Sequence, residues 1–256
     1  MTSTYSRQDT ALIFIDPYND FLAEGGKMWP FVQEVAKRVG LLDNLRAVTA
    51  AVRKARLRVF VAPHRRFQPG DYADWAFPSP DQRGVMRLRP FEAGTWGGEW
   101  HPDFAPKEGD IVIKEHWGQN SFANTDLHLL LTQHGIRKLI FVGMIANTCI
   151  EATARYAMEL GYHVTLVTDA TAAMSADRMH AAHALNGPNY AHAIPDGLPP
   201  DGTRPAARGP GGLRRPDDEL HREPLTGSRP AACPGGGRPA GERPGRRRRE
   251  RRQDTS

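Results

Sequence analysis

Residues 139–168 read Leu139-Ile-Phe-Val-Gly143, Met144-Ile-Ala-Asn-Thr148, Cys149-Ile-Glu-Ala-Thr-Ala-Arg155-Tyr-Ala-Met-Glu-Leu160, Gly161-Tyr162 and His163-Val-Thr-Leu-Val-Thr168. Leu139–Val142 is a short apolar run that stops at a glycine, the pattern of a buried strand. Cys149 to Leu160 reads as a helix, and Gly161 supplies its C-cap. Residues 163–168 are a second apolar strand. Strand, helix and strand in about thirty residues form the crossover unit of parallel sheets.

The alternation extends in both directions. Ala11-Leu-Ile-Phe-Ile15 is a strand ended by Asp16-Pro17. Val32 to Arg56 carries apolar residues at 32, 35, 39, 42, 45, 48 and 52, which predicts one long helix. Arg58-Val-Phe-Val-Ala62 is a strand stopped by Pro63, and Asp110-Ile-Val-Ile-Lys114 another. Thr125 to His134 is helical, with Asn124 or Thr125 as N-cap. Ala176 to Leu185 is helical, and Ala191-His-Ala-Ile194 predicts a last short strand. Residues 65–109 are rich in Pro, Gly and aromatics; so long a loop in a compact domain is usually functional. The expected fold is α/β: a doubly wound, mostly parallel six-stranded sheet with helices on both faces.

The chain has 256 residues, 34 Lys+Arg against 29 Asp+Glu, a formal charge of +5, and two Cys. No apolar run is long enough to span a membrane. Met1 to Thr10 lacks the apolar core of a secretory signal, so a cytoplasmic location is expected. Two Cys make neither a disulfide framework nor a four-thiolate zinc site. The excess charge is local: residues 195–256 hold 14 Arg, no Lys and 9 Asp+Glu, together with 11 Pro and 11 Gly. Residues 1–194 are neutral, with 20 charges of each sign. The tail holds no Val, Ile, Met, Phe, Tyr or Trp and reads as disordered. It has three readings: a solvated extension, an electrostatic anchor for nucleic acid or anionic surfaces, or an out-of-frame translation of a GC-rich gene. The expected organisation is a folded domain over 1–194 and a tail over 195–256.

Ligands of such sheets sit beyond the carboxyl ends of the strands. The residues there are Asp16, His64, Lys114, Gly143 to Cys149, and Asp169. Cys149 opens a helix, where partial positive charge and unpaired N–H groups favour a thiolate and can bind an oxyanion. A lone Cys there is more often a small core residue. Lys114 ends an apolar strand, so partial burial and an acidic partner are expected, Asp16 being the natural one. The bland reading is a structural ion pair. An acid, an ammonium and a thiol at three strand ends of one sheet favour catalysis.

The chain resembles the cysteine hydrolases of the isochorismatase-like superfamily. The resemblance rests on three blocks: Leu12-Ile-Phe-Ile-Asp16-Pro-Tyr-Asn19-Asp20-Phe21; Ile111-Val-Ile-Lys114 through Ser121-Phe122 to Thr125-Asp-Leu127; and Gly143 through Ala146 and Cys149 to Thr153, Arg155 and Gly161-Tyr162, then Val167-Thr-Asp169-Ala170. It covers about residues 10–194. It implies Cys149 as nucleophile, Asp16 as general base, Lys114 as its electrostatic partner, and the backbone N–H groups of Ala146 and Cys149 as oxyanion hole. It also implies a cis peptide at Ile145–Ala146 and a homo-oligomer. The activity implied is cysteine-dependent hydrolysis of a C–N bond in a small amide, ureido or N-carbamoyl compound. The alternatives are a vinyl-ether hydrolase using the Asp as acid, against which Cys149 counts, and a non-catalytic binding protein of the same fold.

Nicotinamidase-like branches bind a metal through Asp-x-His after the second strand. Here that stretch reads Ala62-Pro63-His64-Arg65-Arg66, so neither metal nor other cofactor is expected, and His64 is a pocket wall or surface residue. Tyr18, Asn19, His116 and Trp117 follow the catalytic positions and are expected to contact substrate. Trp96 is expected to do so from the aromatic segment Trp75 to Pro102. Asp20 and Asp169 read as structural. The expected partner is a small molecule; no membrane is expected, and nucleic acid only through the tail.

Overall fold

A computed structural model describes residues 5–192, 194 and 196. The expectations of disorder, anchoring or frameshift in the tail fall outside the described residues. Nothing among the described helices is long and apolar enough to cross a membrane.

Five strands form one parallel sheet: β1 (Thr10–Ile15), β2 (Arg58–Ala62), β3 (Ile111–Val112), β4 (Lys138–Met144) and β5 (His163–Ala172), in the order β3-β2-β1-β4-β5. The helices are α1 (Asn19–Leu22), α2 (Trp29–Val39), α3 (Leu41–Lys54), α4 (Pro80–Leu88), α5 (Leu127–Gln133), α6 (Glu151–Glu159) and α7 (Ala176–His180). Strand residues alternate between two cores, as a pleated sheet requires. Leu12, Phe14, Val59, Val61, Ile140 and Val142 share one cluster with Val32 of α2 and Leu45, Val48 and Val52 of α3. Ala11, Ile13, Ile15, Phe60, Leu139 and Phe141 share the other with Leu127 and Leu131 of α5 and Ala154 and Ala157 of α6. Helices cover both faces, so the doubly wound architecture stands.

Four local expectations change. Among the described residues the sheet has five strands, not six: His192 N–H bonds the Val164 carbonyl, and the Val164 N–H is taken by the His192 ring. The long helix over 32–56 is two, because Gly40 sits at φ 68° and both ends α2 and starts α3. The strand at 110–114 is paired over only two residues, since β3 bulges beyond Ile113. The helix from Cys149 begins instead at Ala146 with a π-turn, closed by Ile150 N–H on the Ile145 carbonyl.

The chain winds from β1 outward through β2 to β3, then returns to lay β4 on the other side of β1. That reversal puts the topological switch point, where a crevice opens, between β1 and β4. Ile15 of β1 pairs with Gly143 of β4. Gly143 has φ 112°, and any Cβ there would collide with the Ile15 backbone carbonyl. Only glycine lets the two strand ends approach this closely. Gly143→Ala is therefore expected to destabilise the fold by more than about 3 kcal/mol, read as a fall in the urea midpoint; an unchanged midpoint would contradict this packing.

Candidate active site

Asp16 follows β1 at φ 55° and is fully buried. Its N–H still bonds the Ala62 carbonyl of β2, so the ladder holds the backbone while the left-handed turn redirects the chain. Oδ1 accepts the His64 backbone N–H at 2.6 Å and lies 3.2 Å from His116 Nε2. Oδ2 is buried with no hydrogen-bond partner among the described residues. The Cys149 thiol lies beside this carboxylate. Burial pushes the thiol well above its usual range, and the charge and acceptor oxygen of Asp16 push it further; Thr148 Oγ1, at 3.9 Å from Sγ, acts weakly the other way. The sequence suggested that the helix N-terminus would favour a thiolate. Burial and the neighbouring carboxylate thus work against that partial charge.

Lys114 does not occupy the expected place. Its side chain is exposed, and its N–H is taken by the Asp126 carboxylate. No ion pair joins it to Asp16 among the described residues. The reason is the bulge. Ile113 N–H bonds the Val61 carbonyl, and His116 N–H bonds the Pro63 carbonyl. The stretch from Ile113 to His116 thus spans one residue more than Val61 to Pro63 opposite it. Lys114 and Glu115 are looped out, and Glu115 is held there by Arg65 and Arg66. The pairing resumes at His116, which bridges His64 and turns its ring onto Asp16. His116, expected as a substrate contact, is instead fully buried against the carboxylate.

The segment after β4 holds the cis peptide one residue earlier than expected, at Met144–Ile145. Met144 still pairs with Ala172, so the chain leaves the ladder at the following bond. Ile150 and Thr148 both donate to the Ile145 carbonyl. No hydrogen bond from the Ala146 N–H is found among the described residues. The loop 119–125 is fixed to the helix behind Cys149: Ser121 N–H donates to Thr153 Oγ1, and Thr125 Oγ1 to the Ser121 carbonyl.

Of the remaining expected contacts, Tyr18 is fully buried between the rings of Phe91 and Trp100, each 5.0 Å away, and its hydroxyl donates to the His64 carbonyl. It braces the site rather than facing a ligand. Asn19 is also buried; its Nδ2 donates to the Trp96 carbonyl at 2.8 Å, and its Oδ1 is unpartnered. Trp96 is half exposed. Trp117 packs on Tyr72 and Trp75, with the Arg65 guanidinium 4.7 Å above its ring. Asp20 is structural as expected: its carboxylate accepts the Lys27 and Phe91 N–H groups, tying the aromatic segment to α1. The Asp169 carbonyl accepts from Asn44 of α3. His64 is buried, its ring against His116 and Phe91. Its backbone contact to Asp16 went unread, because a main-chain donor leaves no mark on residue type. No three His, Cys, Asp or Glu among the described residues are grouped to hold a metal ion.

Comparison with known proteins bears on this geometry. Residues 10–193 match the family model of the Isochorismatase domain. The chain is 29% identical over 198 residues to ureidoacrylate amidohydrolase RutB of Rhizobium rhizogenes, covering 72% of this chain and 78% of that one. It is 28% identical over 178 residues to the enzyme of the same name from Klebsiella variicola, covering 66% and 75%. A cysteine hydrolase structure from Pseudomonas syringae superposes with a TM-score of 0.62 at 22% identity, covering 75% of this chain and 91% of that one, which shows the fold. A single family model spanning the whole sheet, from β1 to the segment beyond α7, fixes the affiliation: this chain belongs to the isochorismatase family.

Proposed function

We propose that the protein is a hydrolase that cleaves the C–N bond of a small amide, ureido or N-carbamoyl compound through a thioester on Cys149. The observation that carries this reading is the free Oδ2 of a buried Asp16 beside a buried thiol. The relatives named as ureidoacrylate amidohydrolases support the substrate class.

The chemistry follows from the resting state. A thiol held above its usual range is a poor nucleophile alone, so its proton must leave as the bond to carbon forms. Asp16 Oδ2 accepts that proton while Sγ attacks the carbonyl. The tetrahedral oxyanion is stabilised by backbone N–H donors, of which Ala146 is the candidate without another partner; such a donor is worth about 10²–10³ in rate. Asp16 then gives the proton to the departing nitrogen as the C–N bond breaks. Water attacks the thioester, Asp16 takes a proton from it, and the C–S bond breaks with the sulfur reprotonated. One water is consumed, and an amine or ammonia and an acid are released.

Three outcomes are expected. Cys149→Ser abolishes ammonia release from amides and ureido compounds; a variant that keeps full turnover would favour an Asp-driven reaction without a thioester. In the wild-type protein, iodoacetamide labelling of Cys149 is slow at pH 7 and rises with pH, because the thiol is neutral at rest. Asp16→Asn removes the charge that helps hold the thiol up and leaves only a neutral amide beside it, so the thiol falls and labelling at pH 7 accelerates, about tenfold for each unit of the fall. Hydrolysis in the same variant drops by about 10²–10⁴. Faster labelling with lost turnover separates a base from a residue that merely holds the fold; slower labelling would contradict the placement of Asp16. Lys114→Ala, an exposed change, leaves turnover within about twofold of wild type; a loss of hundredfold would return Lys114 to the site.

A further inference from the structure

We propose that His116 is held as an imidazolium and serves as the cationic partner of Asp16, the place that the resemblance gives to Lys114. This deepens the hydrolase reading and rests on it for its activity arm. The geometry is specific. His116 Nδ1 lies 2.6 Å from the Gly118 carbonyl oxygen, and Nε2 lies 3.2 Å from Asp16 Oδ1. A carbonyl oxygen can only accept, so Nδ1 carries a proton. Asp16 is ionised in the state that takes the thiol proton, so Oδ1, which also accepts the His64 N–H, can only accept from Nε2. Both ring nitrogens therefore donate, which only the doubly protonated ring can do. The ring and the carboxylate are both fully buried. A buried carboxylate without a counter-charge is expensive, and a paired one far less so.

Among the described residues, the groups around the ring leave no other source of that charge. Asp16 faces it from the end of β1, and His64 from the end of β2, ring centroids 5.2 Å apart. Cys149 lies across the carboxylate. Glu115, next in the chain, is engaged by Arg65 and Arg66. Lys114 is exposed. His64 makes its own ring bond to the Arg65 carbonyl, and burial together with the neighbouring His116 disfavours its charged form. His116 is thus a positioning residue: it sets the charge and orientation of Asp16 and leaves Oδ2 to the thiol.

The test has two arms on the full chain. Nitrogen-15 NMR of histidine-labelled protein at pH 7, with the His116 signals assigned by their absence in His116→Gln, is expected to show protons on both ring nitrogens. A bare Nε2 would overturn the proposal whether or not any substrate is found. In the second arm, His116→Gln is expected to lower kcat by about 10- to 10³-fold, the scale of losing one close opposite charge, with a smaller change in KM. His116→Lys, whose ammonium supplies the same charge, is expected to recover most of that loss. His116→Lys no better than His116→Gln, although folded, would overturn the charge role. Ammonia release that is absent in every variant and in the wild type would sink the hydrolase reading, while the first arm still decides the protonation of His116.

Discussion

The site depends on one buried carboxylate. Asp16 sits with no solvent access at the end of the central strand, and its Oδ1 is saturated by the His64 amide and the His116 ring. An ionised carboxylate taken out of water is tolerated only where hydrogen bonds or charge replace its hydration. Here the replacement is one-sided. The His64 amide and the His116 ring fix Oδ1, and Oδ2 has no hydrogen-bond partner among the described residues. That asymmetry fixes the group in place and leaves one oxygen open, the arrangement on which the proposed proton transfer from the thiol rests.

The sheet exists in the form that places this carboxylate. β1 lies between β2 and β4, so its last residue meets the ends of both. From β2 comes the His64 amide; beyond it the bulged end of β3 delivers His116. From β4 comes Gly143, whose missing side chain admits the Ile15 carbonyl, and then the cis bond and π-turn that carry Cys149. The aromatic segment closes the other flank. Tyr18, stacked between Phe91 and Trp100, reaches the carbonyl of the same His64 whose amide holds Asp16. Backbone and side chains of five separate segments thus converge on two residues.

Much of this was legible in the sequence, and the failures share a cause. Continuous apolar strands and spaced helices are properties of residue type, so the parallel sheet, its two-sided cover and the strand-end position of Asp16 and Cys149 could be read directly. Register is not a property of residue type. Lys114 looks like the end of a strand because Asp110-Ile-Val-Ile precedes it, yet one extra residue in the pairing turns it to solvent and brings His116 inward. The same limit moved the cis bond to Met144–Ile145, since the last ladder residue of β4 decides where the chain turns. Gly40 split a helix whose apolar period runs through it, because the period is silent about a single left-handed residue. Thiol acidity was not legible for a further reason: burial acts against the helix N-terminus, and burial is only known once the helix is packed.

The central claim is that carbon–nitrogen cleavage passes through a covalent bond to Cys149. Acid quenching during turnover of a ureido substrate, followed by intact-mass measurement and peptide mapping, tests it most directly. An adduct equal in mass to the acyl part of the substrate, on the peptide holding Cys149 and decaying as the substrate is exhausted, is the result expected. Sustained turnover with no such adduct, at a rate unchanged by Cys149→Ala, would contradict it.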